Sequence, residues 1–120
     1  MRVLLIPAVV AGVLAVPGTD EPSEAAMRVA VQASLSAQVR SALAYVAETA
    51  GDDALARVRS ARTDQFDIRR FTKFDCAPGT SGHVCGFAVR IGVVTGELRR
   101  TMTGRFHAGP HGLVFESDAS

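Results

Sequence analysis

The chain has no surplus of charge of either sign, since 13 lysines and arginines balance 12 aspartates and glutamates in 120 residues. A protein that binds nucleic acid through its phosphates needs a basic surplus, so this balance argues against a general nucleic-acid binder. Twelve of the 13 basic residues are arginine, and asparagine is absent. Such usage is typical of GC-rich bacterial genomes, so arginine here is weaker evidence than usual for a selected ligand contact.

The chain also has no apolar run of the roughly 20 residues that a membrane-spanning helix needs. Its longest run, Val3 to Val16, covers 14 residues and is interrupted by Pro7 and Gly12. One positive charge precedes the run and an acidic stretch follows it, which is the layout of a secretory signal peptide. We expect a signal peptide over 1–15, a flexible linker over 16–22 and one domain over 23–120. The alternative is that the run forms a buried N-terminal strand or helix.

This layout predicts export to the periplasm or the extracellular medium, with no stable membrane anchor after cleavage. Cysteine is scarce, because Cys76 and Cys85 are the only two in the chain and no C-x-x-C motif is present. In an oxidising compartment this pair is expected to form a structural disulfide. A zinc site that adds His83 lacks the usual ligand spacing and an obvious fourth ligand, so we predict no metal.

Motifs of catalysis are missing as well. The sequence contains no serine elbow, no phosphate loop and no paired-carboxylate signature. His107 and His111 are four residues apart, but Gly109 and Pro110 between them prevent the helical geometry of a metal pair. We therefore predict a non-catalytic binding or accessory role without a cofactor. The alternative is a small hydrolase-like enzyme that uses a pocket between helix and sheet.

The first half of the predicted domain has the period of an amphipathic helix. Between Ser23 and Ala50 the apolar residues recur every three or four positions, at Val31, Leu35, Val39, Leu43 and Val46. Ser23 suits the start of this helix and Gly51 suits its end. The segment "DALARVRSA", residues 53–61, predicts a short second helix.

The second half alternates with a period of two and predicts four strands, "QFDIRRFTKFDC", "CGFAVRIGVV", "LRRTMTGRFHA" and "GLVFES". Turn signals at "VTGE" and "GPHG" join the later strands, so the predicted fold class is α+β, with the helices on an antiparallel meander. This order of elements is similar to cystatin-like and NTF2-like folds. The similarity of architecture implies a sheet that binds proteins or small ligands.

The cysteines suggest a register for the first two strands. If Cys76 lies opposite Cys85, then Phe74 lies opposite Phe87 and Ile68 opposite Val93, and the apolar sides coincide. This register puts Phe71 and Lys73 on the outer sheet face with Arg90 and Arg105, and it turns Arg70 and Arg100 towards the helix. The candidate binding residues, for an anion or a partner, are Arg70, Arg100, Phe71, Arg90 and Arg105. The expected partner is a protein or a small anionic ligand, and a homodimer through the sheet face is a further candidate.

Overall fold

The structure, a computed structural model, describes residues 20–117. One helix, α1 (Glu24–Ala61), precedes four strands, β1 (Phe66–Pro78), β2 (His83–Val93), β3 (Gly96–Gly109) and β4 (Gly112–Ser117). The strands form one antiparallel sheet in the order β1-β2-β3-β4. The α+β class and the four-stranded meander predicted from the sequence are confirmed. The predicted signal peptide and most of the predicted linker lie outside the described residues.

Helix α1 begins and breaks where the local chemistry predicts. The Ser23 side chain accepts a hydrogen bond from the Ala26 amide at 3.1 Å, which caps the first turn. Gly51 has a φ of 86°, so the two predicted helices run on from each other across a kink at this glycine. Arg62 closes the C-terminus in the left-handed conformation. Among residues 20–117 no helix is long and apolar enough to span a bilayer.

The register of β1 on β2 differs from the predicted one because β1 carries two bulges. Cys76 does lie opposite Cys85, but the register shifts between Lys73 and Cys76 and again between Ile68 and Arg70. Each shift adds one residue to β1, and a one-residue shift moves every side chain to the other face. Between the bulges the predicted faces are therefore reversed, and both predicted pairs are wrong: Lys73, not Phe74, lies opposite Phe87, and Ile91, not Val93, lies opposite Ile68.

Phe71 and Arg70 exchange their predicted faces as a result. Phe71 lies opposite Val89, is 6% exposed and belongs to the core, so it is not part of the outer face. Arg70 lies opposite Arg90 on the outer face and does not point towards the helix. The alternation over β2 and β3 follows the prediction, with Phe87 and Val89 buried and Arg90 on the outer side.

The core lies between the first part of α1 and the inner side of the sheet. Four phenylalanines, one from each strand, form its centre: Phe71, Phe87, Phe106 and Phe115. Met27, Ala30 and Val31 of α1 pack on this cluster. The helix contacts both outermost strands, β1 and β4, so the sheet edges approach it from two sides. This packing leaves the opposite side of the sheet uncovered by any described element.

Two covalent or ionic links secure the edge strand β1. Cys76 and Cys85 form a disulfide with 4.1 Å between their Cα atoms, as predicted. Lys73 also reaches the start of α1, because its amide donates to Glu24 Oε2 at 2.8 Å and its ammonium donates to the Pro22 carbonyl at 2.8 Å. The same ammonium pairs with Glu21, and this hydrogen bond lowers the pKa of the Glu21 carboxyl. Lys73 thus lies on the helix side, contrary to its predicted place on the outer face.

Candidate functional site

The outer face of the sheet contains a shallow groove that is rich in arginine. Its volume is about 310 Å³, and it crosses three adjacent strands. The residues that line it come from the middle of each strand: Arg70 and Thr72 of β1, Ala88, Val89 and Arg90 of β2, and Arg99, Arg100 and Thr101 of β3. We call this feature the arginine groove. Two of the five predicted binding residues, Arg70 and Arg90, lie on the outer face there. Arg100 borders the groove by its place in β3, but it lies opposite the buried Val89, so its side chain belongs to the helix side of the sheet.

Strand pairing explains how the arginines converge. The bulge at Arg69 brings Arg70 opposite Arg90, and the register of β2 on β3 brings Arg99 opposite Arg90 on its other side. Arginines of three neighbouring strands thus form a row across the sheet. Ala88, directly opposite both Thr72 and Thr101, has a small side chain and keeps the floor of the groove low.

Few carboxylates balance this row. Glu97 Oε1 lies 3.6 Å from Arg90 Nε and 3.7 Å from Arg99 Nε, so a single carboxylate serves two guanidinium groups. Within residues 20–117 neither Arg70 nor Arg100 has a carboxylate within ion-pair distance. Among the described residues the three outer-face arginines, Arg70, Arg90 and Arg99, therefore share one acidic neighbour, and the surface has a local excess of positive charge although the chain as a whole is nearly neutral.

Arg69 forms the end of the positive row. Its guanidinium lies over Gly92, since a Cβ added to that glycine would fall 2.2 Å from Arg69 Nε. Arg69 Nε also lies 3.6 Å from Asp67 Oδ2, and both side chains are more than half exposed. An exposed pair of this kind contributes little to stability. Arg69 pairs with Asp67 on its own strand and does not line the arginine groove.

Arg105, the fifth predicted residue, lies on the outer face but outside the arginine groove. Its guanidinium pairs with Glu116 of β4 and donates to Ser81 Oγ at 2.9 Å. His107 Nε2 lies 3.1 Å from the other carboxylate oxygen of Glu116. The hydrogen bond from Arg105, and after it that with His107, lowers the pKa of the Glu116 carboxyl. Arg105 is thus engaged within the protein and has less capacity for an external anion.

A second groove separates α1 from the inner side of the sheet. Its volume is about 370 Å³, and its walls are mainly apolar: Leu35, Val39, Ala42, Phe66, Ile91, Val93 and Leu98. Asp64 is the one titratable side chain that lines it, beside Gln38, Thr63 and Gln65. Asp64 Oδ1 is buried without a hydrogen-bond partner in the described structure. This groove is where the hydrolase-like alternative would place its chemistry, and acid–base catalysis commonly needs two such groups.

Arg99 is the groove residue that the sequence-based candidate set missed. The alternation of β3 predicts its outer-face position, but no pattern in the sequence distinguishes it from Arg105 on the same face. A usable signal lies in the two Arg-Arg pairs, 69–70 and 99–100, which fall on strands that both flank β2. Within residues 20–117 no group of three or more histidine, cysteine or acidic side chains is placed to hold a metal ion.

Comparisons of the chain with known protein families, with curated proteins and with solved structures find no match. The case for a function therefore rests on the geometry of the described residues.

Proposed function

We propose that this chain is an exported, non-catalytic binding protein that recognises an anionic group of its partner at the arginine groove. The observation that carries this proposal is the row formed by Arg70, Arg90 and Arg99 across three strands, with Glu97 as its one acidic neighbour. Like charges placed side by side repel one another, and a bound anion removes that repulsion. The fold itself does not need such a row, since the core lies on the other side of the sheet.

The chemistry of the groove suits carboxylates and phosphates. A guanidinium presents its N–H groups in a planar fork that matches the two oxygens of either group. Thr72 and Thr101 add hydroxyl groups beside the low floor at Ala88. The arginine groove is open to solvent, so water and salt screen each contact, and binding should depend on several arginines acting together.

Export is part of the same proposal. The disulfide between Cys76 and Cys85 is of the kind that persists in oxidising compartments. The predicted signal peptide over 1–15 supports the same location. The binding role is better supported than the hydrolase-like alternative, because the groove that would hold the catalyst offers Asp64 alone as a titratable group.

Titration with simple anions tests the proposal. We expect citrate and inorganic phosphate to shift the amide resonances of Ala88 and Thr101 in ¹H–¹⁵N spectra, with citrate binding more tightly. Arg70→Gln and Arg90→Gln should each weaken citrate binding at least fivefold. Arg57→Gln is the matched control, since it removes one positive charge from an exposed position of α1 that does not line the arginine groove.

Two results would count against an anion site. One is that Arg57→Gln weakens binding as much as Arg90→Gln, which would mean that net charge alone attracts the anion. The other is that no resonance near the groove responds to either anion at low salt.

A further inference from the structure

The edge of β3 is only half covered by its neighbour. Strand β4 pairs with β3 from Gly104 to Gly109, whereas β3 begins at Gly96. Within residues 20–117 no strand pairs with the first part of β3 on the side away from β2. The segment Glu97–Thr101 is therefore an open strand edge, next to the arginine groove. Open edges of this kind accept an added strand through main-chain hydrogen bonds.

Resting on the anion-binding function above, we propose that the partner is an extended, acidic segment of another protein, which adds as a fifth strand to the open edge of β3. The main chain of Glu97–Thr101 would provide the hydrogen bonds. The arginine groove would provide the charge selection.

The two hairpins fix which main-chain groups face outward. Turns of two residues join Val93 to Gly96 and Gly109 to Gly112. The residues that flank such a turn form a hydrogen-bonded pair, and the direction of the main-chain groups then alternates along the strand. The β2–β3 hairpin and the β3–β4 hairpin imply the same orientation for each main-chain group of β3. The N–H and C=O groups of Glu97, Arg99 and Thr101 point away from β2, so they are free to pair with an added strand.

The open edge also lacks the devices that make an edge unreceptive. β3 pairs with β2 in an unbroken register from Gly96 to Phe106, without a bulge. By contrast β1, an outermost strand of the sheet, carries two bulges and the disulfide. Bulges twist an edge and interrupt the ladder, so they discourage pairing. The outer edge of β4 is also free of bulges, but the open edge of β3 is the one that lies beside the positive row.

The charge of the arginine groove determines which kind of segment can add to the open edge of β3. Neighbouring strands lie about 4.8 Å apart, so an acidic side chain of the added strand that lies opposite Arg99 would be about 10 Å from the strand of Arg90. An arginine side chain can span much of that distance. Cross-strand pairs of opposite charge stabilise a sheet, whereas like charges directly opposite each other destabilise it. An acidic strand is favoured over a neutral or a basic one for this reason.

A second copy of this chain fits the edge poorly. If two copies paired the whole segment Glu97–Thr101 in the antiparallel sense, the symmetry axis would pass through its middle residue. That axis would set Arg99 against its own copy. The resulting repulsion argues for a different chain as the partner at this edge.

A synthetic peptide tests strand addition separately from anion binding. The probe is an acetylated and amidated peptide of sequence TEVEVET, with two isomeric derivatives, one methylated on the amide nitrogens of its two valines and the other on those of its first two glutamates. An added strand directs every second N–H towards β3, so one isomer should bind at least tenfold more weakly than the parent and the other within about twofold of it. Simple electrostatic binding cannot distinguish the isomers, since their charges are identical.

Each result bears on a definite claim. If both isomers bind like the parent, or if citrate binds and the parent peptide does not, strand addition is overturned while the anion site stands. If neither citrate nor the peptide binds, the proposed function fails as well. A protein that dimerises in sedimentation experiments and loses peptide binding as it does so would show that the edge belongs to a second copy, which also overturns the acidic partner.

A proline variant provides a readout on the protein side. Thr101→Pro removes an outward N–H that forms no bond to β2, so the sheet should retain its fold. Because Thr101 also contributes a hydroxyl group to the arginine groove, the variant is compared with Thr101→Val, which removes the same hydroxyl but keeps the N–H. The two variants should bind citrate alike, and Thr101→Pro alone should lose at least tenfold in affinity for the parent peptide. Equal peptide affinity in the folded variant would contradict the proposal. If the variant fails to fold, the comparison of the two methylated isomers still decides.

Discussion

The ring of Phe71 stacks on the ring of Phe87, with 4.9 Å between their centroids and 19° between their planes. This contact fastens the edge strand β1 to the centre of the core. We predict that Phe71→Ala destabilises the protein by about 3–5 kcal/mol, as is usual for truncation of a buried phenylalanine. Chemical denaturation followed by circular dichroism measures the change.

Phe74 provides the matched control for this prediction. It lies on the same strand, is 47% exposed and has its Cβ near Gly86 on the outer face. Phe74→Ala should cost less than about 1 kcal/mol. If the two variants lose similar stability, the register between the bulges of β1 is not the one described.

Two glycines of the sheet should respond differently to the same added methyl group. A Cβ on Gly104 would fall 2.3 Å from Cε1 of Phe115 and 2.6 Å from the main-chain oxygen of Glu116, neither of which can move easily. On Gly92 it would meet the guanidinium of Arg69, an exposed and flexible group. Gly104→Ala should therefore destabilise by about 1–3 kcal/mol. Gly92→Ala should stay within about 0.5 kcal/mol of the wild type, and thermal melts of both variants make the comparison.

The disulfide should contribute measurably to stability. Cys76 and Cys85 are nine residues apart, and closing so short a loop stabilises by about 3 kcal/mol in the chain-entropy treatment. The double variant Cys76→Ala, Cys85→Ala should lose that amount in urea unfolding. Reduction of the wild type by dithiothreitol should produce a similar loss, and the double variant should not respond to the reductant. If dithiothreitol does not change the urea midpoint of the wild type, the cross-link does not stabilise the fold.

Stability should fall in acid partly through Glu116. The pKa of its carboxyl is lowered from the ordinary value of 4.5 by hydrogen bonds from Arg105 and with His107. A lowered pKa in the folded state means that the ionised form stabilises the fold above the ordinary value, and that this contribution disappears as the pH falls through the lowered value. Glu116→Gln should therefore flatten the acid limb of the stability curve and leave its shape above pH 6 unchanged. A variant with the same acid limb as the wild type would contradict this assignment.

Much of the fold follows from short-range signals in the sequence. The change of period after residue 65 separates helix from strands, and the turn signals at Val94 and Pro110 place the hairpins within a residue or two. The cysteines set the register at their own positions correctly. These features depend on neighbours in the chain, so they can be predicted without knowledge of the packing.

The bulges of β1 depend on the packing, and they were missed. Ile68 and Phe71 are three residues apart with two arginines between them, so strict alternation cannot bury both apolar side chains. The chain resolves the conflict with an extra residue at Arg69, which restores both to the core and leaves Arg70 in the arginine groove. Arg70 and Arg90 of the arginine groove were therefore among the predicted candidates, whereas Arg99 and the arrangement of the three were not. The spacing of Ile68 and Phe71 is the signal that could have found it.

The unlike edges of the sheet also limit how large an assembly can grow. If the edge of β1 and the open edge of β3 both accepted a neighbour, one copy could add its β1 to the β3 of the next, and such head-to-tail contacts propagate without closing. The two bulges of β1 discourage this pairing, so one of the two strands that such a contact needs is unreceptive. Growth by pairing of β1 with β3 therefore stops at the first partner. Resistance to this kind of head-to-tail growth is a consequence of the same irregularity that places Phe71 in the core.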